Sequence, residues 1–235
     1  MNPGNTTIKK LEVACFHKED AQFALELGAD RIEFCEDYRC GGISPKLDDF
    51  IALRNLFPKA KIHVMIRPRS GDFVYSSYRI DLMSTQIEAF ANEGADGFVL
   101  GVLNADNTVD LESCRELLAA TKKTLGKKFV FHRAFDLVPN HEEAIKTLID
   151  AGFSGILTSG GKNSAKEGCA NLKVWEEKFG QAIEFIAGGG VRADNAEQIM
   201  GTSVNWLHSA CYNFGTNRLN VQELKALMEL IRKIK

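Results

Sequence analysis

The chain lacks most of the features that would assign it to a specialised class of protein. Its six cysteines contain no CxxC pair, which argues against a zinc module or a disulfide framework, and in a reducing compartment they should be thiols. The net charge of −2 offers no basic surface for nucleic acid or an anionic membrane. The opening residues MNPGNTTIKK lack the apolar core of a signal peptide, and no run approaches membrane-spanning length. We therefore expect a cytoplasmic protein that binds neither nucleic acid nor membranes.

What the sequence does contain is a repeated alternation of helix-like and strand-like segments. The stretches Glu26–Glu36, Asn92–Leu103 and Asp150–Gly161 each end a helix-like run in glycine and then enter an apolar strand. Glycine is the expected residue just past a helix, because it accepts a left-handed conformation without a Cβ clash. Strands that alternate with helices are typical of a parallel sheet built from βα units.

Eight such units can be traced along the chain. The predicted strands are Lys10–Phe16, Arg31–Glu36, Lys61–Arg67, Gly97–Leu103, Lys128–Phe135, Gly155–Ser159, Ile183–Gly188 and Ser203–Ser209. The predicted helices are Glu19–Leu27, Leu47–Leu56, Leu82–Asn92, Leu111–Leu125, His141–Ala151, Ala165–Lys178, Asn195–Met200 and Val221–Lys235.

Eight units in 235 residues predict an α/β protein with a single closed (β/α)8 TIM barrel that spans residues 1–235. No linker or low-complexity stretch suggests a second domain. An open doubly wound sheet is the alternative, but its glycine signature should follow the first strand, where this chain reads FHKED.

Strand alternation places several ionisable side chains inside the predicted barrel, since residues two apart on a strand face the same side. The predicted interior set is Glu12, Glu33, His63, Arg67, His132 and Asp136. Charged groups are rarely buried unpaired, and barrel interiors are normally filled by Val, Ile and Leu. The set therefore indicates either a functional pocket at the C-terminal rim of the strands or a structural ion network.

If the interior is a pocket, its candidate catalytic residues are Glu12, Glu33, His132 and Asp136. Carboxylates brought together in a low-dielectric pocket acquire the shifted pKa values that proton transfer needs. His63 lies lower in its strand and is expected to be a satisfied core histidine.

Two arginines leave the end of the third predicted strand. Arg67 and Arg69 flank Pro68, which cannot donate to a sheet ladder and marks the end of regular pairing. Guanidinium groups are fork-shaped donors that suit carboxylates and phosphates. The pair predicts either an anion site or an internal salt-bridge network.

Further candidates for anion binding follow the sixth, seventh and eighth strands. Glycine triplet 188–190 lies between a strand and a helix, where it would let backbone N–H groups approach a ligand, although a tight turn also needs glycine. Loops after strands seven and eight often bind phosphate in this fold. The complete predicted anion or substrate set is Arg67, Arg69, Ser159, Gly189, Gly190 and His208.

A metal site is the remaining possibility for the interior. Cys35, Met65, His132 and His208 could converge, and thiolate or thioether ligands would suit Cu(I). None of them forms a ligand-pair motif, and a free cysteine is often only a small buried hydrophobic residue. No feature of the sequence indicates an organic cofactor.

Six segments resemble those of a known family. In order along the chain they are GADRIEFCE, GGISP, HVMIRPRSGDFVYS, FHRAFD, ILTSGG and GGGVR. Together they resemble the CutC family, named for copper homeostasis, and the likeness spans almost the whole chain. The resemblance implies a cytoplasmic (β/α)8 barrel, usually homo-oligomeric, with Cu(I) proposed to bind cysteines at the ends of the first two strands.

Within this resemblance, Cys35 is the predicted copper ligand. It stands at the cysteine position of the second strand, but the matching position of the first strand is Ala14, and the cysteine is displaced to Cys15. By alternation Cys15 should face away from Cys35. We therefore expect at most weak Cu(I) binding in this chain.

Two functions are thus in competition. The first is copper homeostasis through Cu(I) binding, which would require Cys35. The second is an enzyme that acts on a small anionic or phosphorylated metabolite. This enzyme would require Glu12 and Glu33 for acid–base chemistry and Arg67 to bind the anion. The sequence leaves open whether the protein is an enzyme.

Overall fold

The computed structural model describes residues 9–121, 126–213 and 215–233, and they form the predicted (β/α)8 barrel. The strands are β1 Lys10–Cys15, β2 Arg31–Phe34, β3 Ile62–Met65, β4 Gly97–Leu100, β5 Lys128–Phe131, β6 Gly155–Thr158, β7 Glu184–Gly188, β8 Trp206–Ser209, β9 Tyr212–Asn213 and β10 Arg218–Leu219. The α-helices are α1 Lys18–Glu26, α2 Leu47–Leu56, α3 Ser77–Asn92, α4 Leu111–Ala119, α5 His141–Ala151, α6 Cys169–Phe179, α7 Ala196–Met200 and α8 Val221–Lys233. Two 3₁₀ helices, Tyr38–Cys40 and Arg133–Leu137, follow β2 and β5.

Strands β1 to β8 form a closed sheet in chain order. Each strand pairs in parallel with the next, and β8 pairs with β1 so that Glu12 lies beside His208. Strands β9 and β10 form a separate antiparallel pair between β8 and α8. Because all eight barrel strands run the same way, their C-terminal ends meet at one rim, where the polar residues that follow them converge.

Side-chain alternation along the strands separates two apolar cores, as predicted. The larger core lies between the sheet and the helices and includes Val13, Phe34 and Val64. A smaller core fills the barrel interior and includes Ala14 and Met65. The outer helices cover the larger core: in α8 the buried stripe consists of Leu224, Leu227, Met228 and Ile231. No helix among the described residues is long and apolar enough to cross a membrane.

Six of the eight predicted strands extended past the C-terminal ends seen in the structure, whereas the seventh and eighth end at Gly188 and Ser209 as predicted. The third was predicted to reach Arg67 but ends at Met65, and the backbone N–H of Arg67 donates instead to Ser44 Oγ, at 2.9 Å. The fifth was predicted to reach Phe135 but ends at Phe131, where the chain turns into the 3₁₀ helix. Strand alternation therefore cannot be extended more than two residues beyond these two points.

The helices begin and end within a few residues of the predicted positions, with two larger differences. Helix α3 begins at Ser77, five residues before the predicted start, and α6 begins at Cys169, four residues after it. Helix α4 ends at Ala119; predicted helical residues 122–125, like residues 234 and 235 after α8, lie outside the described residues.

Candidate functional site

A cavity of about 460 Å³ opens at the C-terminal end of the barrel, and we call it the mouth cavity. Its apolar walls include Phe16, Met65 and Leu157. The charged or imidazole side chains that line it are Glu33, Arg67, His132, Arg133, Arg192 and His208. The backbone of Gly189 and Gly190 closes one side. Four of the predicted anion residues and two of the predicted catalytic residues therefore meet in one place.

Glu12 lies beneath the mouth cavity as a buried, fully paired carboxylate. It accepts a hydrogen bond from Arg31 Nε, and its Oε1 lies 2.8 Å from His208 Nδ1. The ring of His63 is also close, with Nδ1 at 3.8 Å from Oε2. Burial alone would raise the pKa of Glu12, but Arg31 and the two histidines hold that pKa below its usual range. Glu12 is thus a permanent negative charge that holds His208 in place.

Glu33 lies in the wall of the mouth cavity and has a different environment. Its Oε1 accepts a weak hydrogen bond from Cys35 Sγ at 3.3 Å. Its Oε2 has no hydrogen-bond partner among the described residues and lies 3.9 Å from His208 Nδ1. Burial, with the charge of Glu12, raises the pKa of Glu33 although His208 opposes the shift. A carboxyl group of this kind can exchange a proton with a bound molecule.

His208 lies between these two carboxyl groups. Burial disfavours its charged form, but the hydrogen bond to Glu12 and the nearby carboxyl of Glu33 raise the pKa of His208. The side chain is about 12% exposed and borders the mouth cavity, so its two carboxyl neighbours favour a positive charge at that point of the wall.

His132 borders the same cavity as a neutral imidazole. Its Nδ1 accepts a hydrogen bond from the backbone N–H of Ala134 at 3.3 Å, which assigns the ring proton to Nε2. That Nε2 is buried and has no partner among the described residues. Burial, together with the charge of Arg67, lowers the pKa of His132 to about 3. The ring of Phe73 packs against the imidazole with centroids 4.7 Å apart.

The two predicted arginines do not act as a pair. Arg67 is buried and borders the mouth cavity, but it donates to the backbone oxygens of Cys40 (2.8 Å), Gly42 (3.0 Å) and Gly71 (2.8 Å). Arg69 does not line the cavity; it bonds to Asp72 Oδ1 at 2.5 Å and to neighbouring carbonyl groups. Arg67 therefore ties two loops together, which neither of the sequence-based interpretations anticipated.

Asp136 and Ser159 also lie away from the cavity. The Asp136 carboxylate accepts hydrogen bonds from Thr158 Oγ1, from the N–H of Ser159 at 3.0 Å and from the N–H of Gly161 at 3.2 Å. It also pairs with Arg133 Nε at 2.8 Å. Asp136 was predicted to lie in the barrel interior but does not line the mouth cavity, because it belongs to the 3₁₀ helix rather than to β5. Its role is to fix the loop after β6 and to orient Arg133.

Three functional arginines were not identified from the sequence. Arg133 and Arg192 line the mouth cavity, and Arg31 is the partner of Glu12. The position of each in the sequence could have identified it. Arg133 directly follows the candidate His132, and Arg192 lies two residues after the glycine triplet. Arg31 lies two residues before Glu33, so alternation places both on the same face.

The glycines after β7 are required by their conformation. Gly189 and Gly190 have φ angles of +104° and +72°, which side chains with a Cβ rarely adopt. A Cβ on Gly189 would also lie 3.0 Å from the side chain of Ser159 and 3.1 Å from Arg133. No hydrogen bond within the described residues uses the backbone amide of either glycine. These amides face no competing acceptor and suit an anion.

The donor set does not fit a Cu(I) site. Cys35 lies on the inner face, as predicted, and Cys15 belongs to the outer core on the opposite face. Burial and the Glu33 carboxyl raise the pKa of Cys35 well above its ordinary value, which disfavours the thiolate that binds metals. Among the described residues, the group whose ligand atoms lie within 4.8 Å of one another is Glu12, Glu33 and His208. That group contains no sulfur, whereas Cu(I) prefers soft ligands.

The barrel and its charged mouth define a (β/α)8 protein with a polar cavity at the C-terminal rim, and comparisons with known proteins assign it further. The CutC family profile matches residues 9–213. A CutC family protein of Enterobacter sp. (strain 638) is 38% identical over 200 residues, which cover 85% of this chain and 79% of the relative. A Bacteroides thetaiotaomicron relative is 36% identical over 190 residues, which cover 81% of this chain and 75% of the relative.

A solved structure agrees with these sequence matches. The crystal structure of the protein named for copper homeostasis, CutC from Streptococcus agalactiae, superimposes with a TM-score of 0.80 at 30% identity. The match covers 86% of this chain and 98% of that chain. The chain belongs to the CutC family.

Proposed function

We propose that the mouth cavity binds a small anionic metabolite and performs acid–base chemistry on it. The observation that carries the proposal is a pair of buried, unpartnered polar atoms, Glu33 Oε2 and His132 Nε2, on residues that line one cavity. Buried polar groups in folded proteins are nearly always hydrogen-bonded, so two such atoms in a cavity wall indicate a missing ligand.

The charge around the cavity favours an anion. Arg133 and Arg192 line the mouth, and the hydrogen bond to Glu12 favours the charged form of His208. The amides of Gly189 and Gly190 add donors at the end of β7, a position at which this fold often binds phosphate. A phosphate or carboxylate group of the ligand would thus lie on the β7–β8 side.

The acid–base part of the proposal rests on the contrast between two residues. Glu33 has a raised pKa and a free oxygen, so it can hold or accept a proton. His132 is neutral and can donate a hydrogen bond from Nε2, for example to a carbonyl oxygen that becomes negative during reaction. Glu12 and His208 would keep the site charge balanced while Glu33 changes its protonation state.

A thermal-shift series with inorganic phosphate tests anion binding. Arg133 and Arg69 are a matched pair, because each forms an ion pair with an aspartate three residues later and their side chains are 42% and 31% exposed. Phosphate should raise the melting temperature of the wild type and of Arg69→Met by mass action, and raise that of Arg133→Met less. An equal rise in both variants would contradict binding at the mouth.

The proposed acid–base reaction is tested with those phosphorylated metabolites that raise the melting temperature of the protein. Each metabolite is incubated with the protein, and its chemical change is followed by proton NMR. We expect at least one to be altered by the wild type and to be left unchanged by Glu33→Gln. Turnover that survives Glu33→Gln would remove Glu33 from the proposal.

Copper binding enters the proposal only as a weak association of Cu(I) with Cys35. It is supported by the family name and by the position of the thiol beside Glu33 on the inner face. Location in the cytoplasm and assembly into a homo-oligomer are also part of the proposal, and both rest on the family resemblance.

A further inference from the structure

A second cavity, of about 400 Å³, lies at the opposite end of the barrel, where the strands begin. We call it the floor cavity. Residues at or next to the start of all eight barrel strands line it, and its positively charged members are Lys10, Arg31, Lys61 and Lys128. Its two acidic members are Asp96 and Glu184. The floor of a barrel normally contributes to stability rather than to ligand binding, so an excess of positive charge there needs an explanation.

The two acids do not neutralise the lysines. Asp96 Oδ2 accepts hydrogen bonds from Arg54 at 2.5 Å and from the backbone N–H of Ile62 at 2.9 Å. Glu184 Oε1 accepts from Trp206 Nε1 at 2.6 Å. Within residues 9–121, 126–213 and 215–233, none of the three lysines forms a salt bridge. Lys10 Nζ lies over the ring of Trp206, 5.3 Å from its centroid, and the positive charges of the three lysines have no carboxylate partner among these residues.

Arg31 provides the decisive observation. It is 5% exposed, and its guanidinium lies over the indole of Trp206, which also lines the floor cavity, at 3.8 Å from the ring centroid. Its Nε donates to Glu12, and its Nη1 is 3.7 Å from Glu184 Oε2. Its Nη2 is buried and has no hydrogen-bond partner among the described residues. A buried guanidinium nitrogen without an acceptor is costly, because the group has lost water without replacement.

A structural role accounts for only part of this arrangement. The pairing of Arg31 with Glu12 explains why an arginine is buried at this position. It does not explain why three lysines surround the same opening with no acidic partner, since like charges brought together destabilise the folded state. An anion in the floor cavity would satisfy Arg31 Nη2 and the lysines at once.

We propose that the floor cavity is a second anion-binding site, in which Arg31 and the three lysines bind a small, multiply charged anion such as phosphate. The inference is independent of the mouth cavity, because it uses none of the residues that line the mouth. Arg31 nevertheless also donates to Glu12, the carboxylate that holds His208, so the two ends of the barrel share one charged network.

Tryptophan emission offers a reporter at the proposed site. The chain contains two tryptophans, and Trp206 is the one that lines the floor cavity. Trp175 packs elsewhere, with its ring 5.1 Å from that of His141. In a Trp175→Phe/Arg133→Met protein, in which the mouth should no longer bind phosphate, phosphate is titrated at constant ionic strength while the emission of Trp206 is recorded, and calorimetry measures the affinity independently. We expect a saturable change in emission with the same affinity by both methods.

The test variant is Lys61→Gln/Lys128→Gln, because both side chains are exposed and their removal should not disturb folding. Affinity for phosphate should fall about tenfold, the equivalent of about 1.4 kcal/mol. Lys166→Gln/Lys173→Gln removes the same charge at exposed positions outside the floor cavity and should leave the affinity unchanged.

Arg133→Met separates this inference from the proposed function. It should remove phosphate from the mouth and leave the titration of Trp206 intact. Equal affinity of the Trp175→Phe/Arg133→Met protein with and without Lys61→Gln/Lys128→Gln in both measurements, or an absence of saturable binding in both, would overturn the floor site. Neither result would affect the thermal-shift comparison of Arg133→Met with Arg69→Met, which tests phosphate binding at the mouth cavity.

Discussion

At the scale of single residues, two buried glutamates on neighbouring strands have opposite properties because of their partners. Glu12 is enclosed by Arg31 and two histidines, so its charged form is stabilised. Glu33 receives a thiol hydrogen bond and has one bare oxygen, so burial dominates and its neutral form is favoured. Pairs of carboxyl groups whose environments separate their pKa values are typical of sites where one group titrates during reaction.

The neutral state of His132 makes the stability of the fold depend on pH. The pKa of this buried ring is lowered to about 3 from an ordinary value of 6.5. Between those values the unfolded chain binds a proton that the folded protein does not, so stability falls as the pH falls below about 6.5. At about pH 5 the loss from this one residue is about 2 kcal/mol.

We therefore expect urea unfolding to show a difference between the wild type and His132→Asn. On going from about pH 7 to about pH 5, the wild type should lose about 2 kcal/mol more than the variant. His17→Asn, a change at an exposed histidine, is the control and should follow the wild type. If His132→Asn loses as much stability as the wild type, then His132 is protonated in the folded protein or contributes nothing to the pH dependence.

At the scale of secondary-structure elements, the inner face of the barrel strands was predictable, but the C-terminal ends of six of the eight strands were not. Alternation identified Glu12, Glu33 and Cys35 as inward-facing, because a strand has a strict period of two. It failed for Asp136, since β5 stops at Phe131 and a 3₁₀ helix changes the direction of the next side chains. No local sequence pattern predicts that change of direction. The position of Asp136 is fixed by hydrogen bonds from Thr158, Ser159 and Gly161, which lie more than twenty residues away in the chain.

Arg67 illustrates the same limit. The guanidinium chemistry predicted a carboxylate or an anion as partner, whereas the folded chain presents three backbone oxygens from two loops. Which carbonyl groups lack a donor is determined by the tertiary structure, and the sequence does not contain that information in any local pattern. The sequence motif therefore identified Arg67 as a residue with a specific role, but the predicted hydrogen-bond partners of its guanidinium group were wrong.

Replacing Arg67 should consequently cost stability. Arg67→Met removes the donors of three carbonyl oxygens in a buried setting, and hydrogen bonds to charged groups contribute about 1.5–3 kcal/mol each without being additive, so we expect a loss of about 3 kcal/mol or more. Arg69→Met changes a partly exposed ion pair and should cost less than about 1 kcal/mol. Chemical denaturation of both variants provides the measurement. Similar small losses would mean that the loops find other donors when Arg67 is removed.

At the scale of the whole molecule, the barrel separates its ionisable groups into two charged ends joined by one network. The mouth cavity contains Glu33 and His132, and the floor cavity contains the lysines. Arg31 and Glu12 lie between them and connect the two. The buried side chains of Glu12, Glu33, Arg31, His63 and His132 occupy interior positions that hydrophobic residues would otherwise fill, and binding of ligands would account for this energetic cost.

The distribution of cysteines over the molecule argues against tight copper binding. Cys15 faces the outer core, Cys35 faces the barrel interior, and Cys114 lies in α4. Cu(I) sites built from cysteine need thiolates that converge. Here the pKa of the Cys35 thiol is raised, and the metal-capable group of the described residues, Glu12, Glu33 and His208, contains no cysteine.

Titration with Cu(I) in the presence of a competing chelator should therefore show weak binding by the wild type, which the chelator removes. Cys35→Ser should abolish what binding there is, because it exchanges the soft ligand for a hydroxyl group at nearly the same volume. Cys114→Ser alters a buried thiol in the outer core and serves as the control, with binding equal to that of the wild type. Tight stoichiometric binding that survives Cys35→Ser would show that copper is held by other residues, and the carboxylate–imidazole group of Glu12, Glu33 and His208 would be the first place to look for them.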